Sequence, residues 1–203
     1  MPRDGSATKQ RILDAAERLV IENGFAATSV DQVIAESGSS KGAFFHHFGS
    51  KLDLARELVD RYAAAELADL EKAVAQVQAA TEDPVERVIA FIRIFEDGAD
   101  QLMAAQSNCL FVSILTERQL AQSGTSDRIA ENILAWRTVL SGMLRDALGS
   151  RAPAPAIDTD ALADHLFVTF EGAFILCRSM TDARHMGAQL GVLRQLIEQL
   201  LRM

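Results

Sequence analysis

Ser40, Lys41 and Gly42 put a hydroxyl, a cation and a residue without a side chain in a row, and His46, His47 and Lys51 follow closely. At the start of a helix that order brings backbone N–H groups, the positive end of the helix dipole and an ammonium to one point with little bulk between them. The group it suits is a phosphate. Ser29 offers a second hydroxyl at the start of the preceding helix. This is recognition chemistry rather than covalent chemistry. His46 and His47 are adjacent, so on a helix they point about 100° apart, and no further Cys or His stands at ligand spacing, so no metal is expected. The chain carries no glycine-rich phosphate loop, no His-x-x-x-His pair and no nucleophile elbow. A non-enzyme with no cofactor is expected.

The elements that must hold these residues read as helices throughout. Ala, Leu, Glu, Gln and Arg abound, only 4 prolines interrupt, and no β-branched runs recur with turn signals at strand spacing. The expectation is an all-α fold of about nine helices, with a three-helix N-terminal domain over 1–50 and a larger helical domain over 51–203. Ile12, Leu13, Ala16, Leu19 and Val20 mark a first helix from about Thr8 to Asn23, stopped by Gly24. Thr28 or Ser29 caps a second helix, with Gln32 in place for a capping box, and it ends at Ser37-Gly38. A third, short helix starts near Ser40 and ends before Gly49. Between them Gly38 permits the left-handed turn that lets two helices cross steeply. Ser50 caps a long fourth helix to about Ala80, and Thr81-Glu82-Asp83-Pro84 opens a fifth. Further helices are expected over Cys109–Gln122, Asp127–Leu148, from an Asp158 cap to Met180, and from Ala183 to Leu201.

The net charge of −8 is unevenly distributed. Through Lys51, three lysines and three arginines balance six carboxylates, so the rest of the chain carries the whole deficit. Nucleic-acid affinity needs a local basic face rather than a basic protein, and an acidic body holds the molecule off nonspecific DNA. The two cysteines, Cys109 and Cys177, make no disulfide framework. The polar N-terminus has no apolar core of a signal peptide, and no apolar run reaches spanning length. A cytoplasmic protein without a membrane partner is expected.

The residues Ile12-Leu13-Asp14-Ala15-Ala16, Gly24-Phe25-x-x-Thr28-Ser29-Val30 and Ser40-Lys41-Gly42-Ala43-Phe44-Phe45-His46-His47-Phe48-x-Ser50-Lys51-x-x-Leu54 together resemble the DNA-binding half of the TetR family. The resemblance covers Thr8 to about Val59; beyond it only the looser all-helical plan matches. It implies a ligand-responsive repressor that binds a palindromic operator in double-stranded DNA as a homodimer through a helix-turn-helix. Ser29 would touch phosphate, Ser40, Lys41, Gly42 and Phe44 would face the groove, and His46 and His47 would lie at the backbone or the last base contacts. Lys51 would hold phosphate. Phe25, Val30, Val33, Phe45 and Phe48 would be core. Where many members have two tyrosines this chain has Phe45 and His46, so a phenolic phosphate contact is lost or replaced by imidazole.

The resemblance further implies that the fifth to eighth helices enclose a mostly apolar cavity for a small, largely apolar effector. Phe95, Met103, Asn108, Cys109, Phe111, Trp136, Leu140, Phe170, Glu171 and Phe174 are the residues expected to line it. Cys109, expected at a helix start, is either a buried structural thiol or an electrophile and redox sensor. A helical DNA-binding protein with no effector is the other reading. The last two helices would form the dimer interface, through Leu162, Leu166, Thr169, Gly172, Ala173, Leu190, Leu193 and Ile197, because helices this apolar need a partner.

Overall fold

A computed structural model describes residues 5–105, 109–117, 120, 124–149 and 157–202. Among these residues there are ten helices and no strand: α1 (Gly5–Asn23), α2 (Val30–Ser37), α3 (Lys41–His47), α4 (Lys51–Ala80), α5 (Pro84–Asp97), α6 (Ala99–Ala105), α7 (Leu110–Leu115), α8 (Thr125–Gly149), α9 (Thr159–Met180) and α10 (Arg184–Arg202). The fold is all-α, as the sequence indicates. The additional helix arises at Gly98, whose helical backbone (φ −82°, ψ −5°) ends α5 and leads at once into α6.

Local chemistry accounts for most of the boundaries. Gly24 (φ 83°) turns the chain out of α1, and its N–H reaches the Val20 carbonyl at 2.9 Å. Ser29, not Thr28, caps α2. Its hydroxyl accepts from the Gln32 N–H at 3.2 Å, and the Gln32 side-chain oxygen accepts from the Ser29 N–H at 2.7 Å. Thr28 is buried instead, donating its hydroxyl to the carbonyls of Leu19 and Gly24. Asp83 caps α5 ahead of Pro84, and Asp158 caps α9 by accepting from the N–H groups of Asp160 and Ala161. The expected helix over Cys109–Gln122 is shorter, ending at Leu115; Gln122 lies outside the described residues.

By packing, the chain divides into two compact units: Met1–Ala65 with Asn108–Ala130, and Glu66–Ser107 with Glu131–Met203. These are not the expected segments 1–50 and 51–203. The first turns of α4 belong with α1 because Leu54, Ala55, Leu58 and Val59 bury their side chains in the first unit. Arg61 adds ion pairs to Asp14 and Glu17 of α1, and Lys9 pairs with Glu57 at 2.9 Å. The segment around α7 joins the same unit through Leu110, Phe111 and Ile114, all buried, with Phe111 edge-on to Tyr62 at 4.9 Å.

In the second unit, α10 packs on α5 and α9. Its buried stripe is Met186, Leu190, Leu193, Ile197 and Leu201, a helical period of three and four. Arg137 of α8 grips Asp164 of α9 with two bonds of 2.7 Å. Arg194 grips Glu96 of α5, and Gly191 leaves the room this requires, since a Cβ there would stand 2.8 Å from the Glu96 carboxylate.

Candidate functional site

The two short helices of the first unit are set by the turn between them. Gly38 (φ 60°) caps α2 in the left-handed conformation, donating to the carbonyls of Ala35 and Ile34. Ser40 then caps α3, its hydroxyl accepting from the Ala43 N–H at 3.1 Å. Phe44 and Phe48, one turn apart, are 0% and 1% exposed and pin the inner face of α3. The outer face is left to Ser40, Lys41, Gly42, Phe45 and His46, all exposed, with His47 half-buried.

The burial of Phe44 and Phe45 is the reverse of that expected. Phe44 was expected in the groove but is fully interior, ring against Phe48 at 5.5 Å; Phe45 was expected in the core but is 48% exposed. On a short helix both stand within one turn of Phe48, and packing against α1 selects the one four residues away. Phe25, Val33 and Phe48 are buried as expected, and Val30 is half-buried. Gly42 is open, a Cβ there meeting nothing nearer than the Ser40 hydroxyl at 4.0 Å. The Lys41 ammonium stands 3.9 Å from Asp31 with both side chains largely in solvent, a pair worth little.

Lys51 is less free than a phosphate ligand would be. Its ammonium donates to the Phe25 carbonyl at 2.5 Å and the Ala26 carbonyl at 3.5 Å, and lies 4.2 Å over the Phe25 ring. Partial burial holds its pKa below the usual lysine value, and the Glu117 carboxylate opposes that shift. Ser29 likewise has its hydroxyl engaged with Gln32, although the residue is exposed.

The residues expected to line an effector cavity fall into both units. Cys109 and Phe111 belong to the first, where both are buried; Cys109 is 6% exposed and stands at the N-cap of α7, its thiol not serving as the cap. A thiol so covered is not presented to a diffusing electrophile. Phe95, Trp136 and Phe170 meet in the second unit, with ring centroids 5.5 and 5.8 Å from Phe95, and Phe91 joins them. Leu140 and Phe174 are buried in the same unit, and Met103 is half-buried. Asn108 lies outside the described residues.

Glu171 follows Phe170 and lies close enough to Glu66 of α4 to repel it. The Glu66 carboxyl is pushed up to about 7, first by burial and then by the charges of Asp69 and Glu171. The sequence carried one signal of this: Glu66 falls at the helical position between the buried Ala63 and Leu70. Also unanticipated is an apolar groove of about 320 Å³ between α4 residues Leu67, Leu70 and Val74 and α8 residues Ala135 and Val139. It includes none of the residues expected to line the cavity.

Five of the eight residues expected at a dimer interface turn inward. Leu166, Ala173, Leu190, Leu193 and Ile197 are interior to the chain, and Leu162, Thr169 and Gly172 are half-buried. The large apolar side chains left in solvent on α9 and α10 are Val168, Ile175, Leu176, Met180, Val192 and Leu196, from 39% to 64% exposed. Both helices are apolar on two faces, and the faces toward α5 and toward each other take the residues first assigned outward.

Among the described residues no group of three metal-ligating side chains occurs, and no helix is long and apolar enough to cross a membrane. Two family profiles match the sequence: "Bacterial regulatory proteins, tetR family" over residues 12–58 and "Tetracyclin repressor-like, C-terminal domain" over 84–191. Among curated relatives, the transcriptional regulator AcuR of Cereibacter sphaeroides is 23% identical over 85% of this chain and 77% of its own length. The transcriptional repressor AcnR of Corynebacterium glutamicum is 37% identical over 38% of this chain and 42% of its own. A solved TetR-family regulator from Agrobacterium tumefaciens superposes with a TM-score of 0.76 at 23% identity, covering 97% of this chain and 98% of the other.

Proposed function

The chain belongs to the tetR family of bacterial regulatory proteins, a DNA-binding transcriptional regulator and not an enzyme, and from that premise we propose that it is a homodimeric repressor released from a palindromic operator by a small, largely apolar effector. The observation that carries the reading is the division of α3 into a buried face, Phe44 and Phe48, and an exposed one, Ser40, Lys41, Gly42, Phe45 and His46. A rigidly backed helix with a bare, mixed polar and aromatic outer face suits a major groove. Lys41 supplies charge to the backbone, and Phe45 supplies an apolar surface for a thymine methyl.

Dimerisation is supported by the exposed apolar side chains of α9 and α10, which a lone chain would leave in water. A pair of chains joined through those helices carries two copies of α3 for a palindrome, with half-sites about 34–36 Å apart or somewhat more. Effector response is supported by the aromatic group of Phe91, Phe95, Trp136 and Phe170, since pockets for apolar ligands are lined by such side chains. The effector acts only by binding the DNA-incompetent state better than the competent one.

Trp136 is the single tryptophan of the chain, so its emission reports on that aromatic group alone. Small apolar compounds that quench Trp136 are expected to lower operator affinity when added to the protein–DNA complex. Compounds that bind and quench while leaving operator affinity unchanged would defeat the effector reading and leave DNA binding standing.

A further inference from the structure

The peptide that joins α1 to α2 is held from two sides by charged groups from elsewhere in the sequence. Ala26 and Ala27 are exposed and too small to anchor it. The Ala26 N–H donates to the Glu117 carboxylate at 3.1 Å, across 91 residues of sequence. From the other side Lys51 donates to the carbonyls of Phe25 and Ala26. Glu117 is itself fixed, its N–H on the Ile114 carbonyl and its own carbonyl accepting from the Leu120 N–H, each at 3.0 Å. The two charges also support one another, because the Glu117 carboxylate favours the protonated form of the half-buried Lys51. All of these groups lie within the first unit.

We infer that Glu117 is a positioning residue for DNA binding: by holding the Ala26 N–H while Lys51 holds the neighbouring carbonyls, it sets the direction in which α2 leaves α1 and so the attitude of α3. Three residues beyond Ala26 stands Ser29, the cap of α2, and between them Thr28 is locked to Leu19 and Gly24. A peptide free to swing at Ala26 would pass its motion to both. The segment that carries Glu117 follows α7, whose buried Leu110, Phe111 and Ile114 fix it in the first unit. A displacement of α7 therefore withdraws the acceptor from Ala26, and the reader loses its preset geometry without any change in the residues that touch DNA. The inference rests on the DNA-binding role of the family.

The test compares Glu117→Ala with Glu117→Gln, in the full chain, on DNA selected with the unaltered protein. Glutamine keeps a carbonyl that accepts from the Ala26 N–H; alanine does not. Loss of one bond to a charged acceptor at a partly exposed site is expected to weaken operator binding by about tenfold in the alanine variant, with glutamine recovering most of it. In the absence of DNA, the Ala26 amide is expected to exchange hydrogen faster in the alanine variant than in the glutamine variant, with global unfolding little changed. Operator affinity untouched by Glu117→Ala, or lost equally in both variants, would overturn the inference. The exchange measurement needs no operator, so it stands apart from any failure of the unaltered protein to bind DNA.

Discussion

Replacing Glu66 with glutamine is expected to stabilise the folded chain, and to do so far more at pH 8 than at pH 5. In the unfolded chain the carboxyl titrates near its ordinary 4.5; in the folded chain burial, Asp69 and Glu171 push it up to about 7. Between those values the native state keeps a proton that the unfolded state has released. Stability therefore falls as pH rises through the window, and the loss is complete above the folded value. At 1.36 kcal/mol for each decade of proton concentration, the charged carboxylate costs the fold about 3 kcal/mol at pH 8 and about 1 kcal/mol at pH 5. Glutamine has nearly the same shape and no ionisation, so the advantage of the variant should grow by about 2 kcal/mol between the two pH values. Urea unfolding of both proteins at a fixed chain concentration measures it. An advantage of equal size at pH 5 and pH 8, or a glutamine variant less stable at pH 8, would refute the assignment of a half-buried, repelled carboxyl.

Phe44→Ala should cost about 3–5 kcal/mol of stability by opening a cavity behind α3, read by urea unfolding. Phe45→Ala should change stability by no more than about 0.5 kcal/mol yet alter preference among operators differing at a thymine, read by competition binding. Asp at both Ile175 and Leu196 should yield monomers in sedimentation and weaken operator binding, because joined half-site readers make the second contact intramolecular; a dimer that survives both changes places the interface elsewhere. Ser29→Ala should cost about 1 kcal/mol by leaving the first turn of α2 uncapped, visible as a lowered urea midpoint.

What the sequence revealed is what neighbouring residues decide among themselves. The helix starts near Ser40 and Pro84, the Asp158 cap and the left-handed turns at Gly24 and Gly38 depend on residues within one helical turn, and each stands where the pattern puts it. The assignments that changed depend on partners far along the chain. Phe44 and Phe45 are chemically alike, and only the approach of α1 distinguishes inside from outside. Lys51 is engaged by carbonyls 25 and 26 residues earlier, and Glu117 by an N–H 91 residues earlier. Along α9 and α10 an apolar residue occurs on nearly every face, so periodicity finds the helices without saying which stripe meets the same chain. Glu66 is the intermediate case: its place between Ala63 and Leu70 was legible, but the like charge opposite comes from α9.

Selection of DNA by the purified protein from a pool of random duplexes bears most directly on the reading as a whole. The expected result is one enriched palindrome, bound by two chains, whose half-sites lie about one helical turn or slightly more apart, with affinity falling steeply when one half-site is scrambled. Recovery of no enriched sequence, or of a lone half-site bound by a single chain, would contradict it.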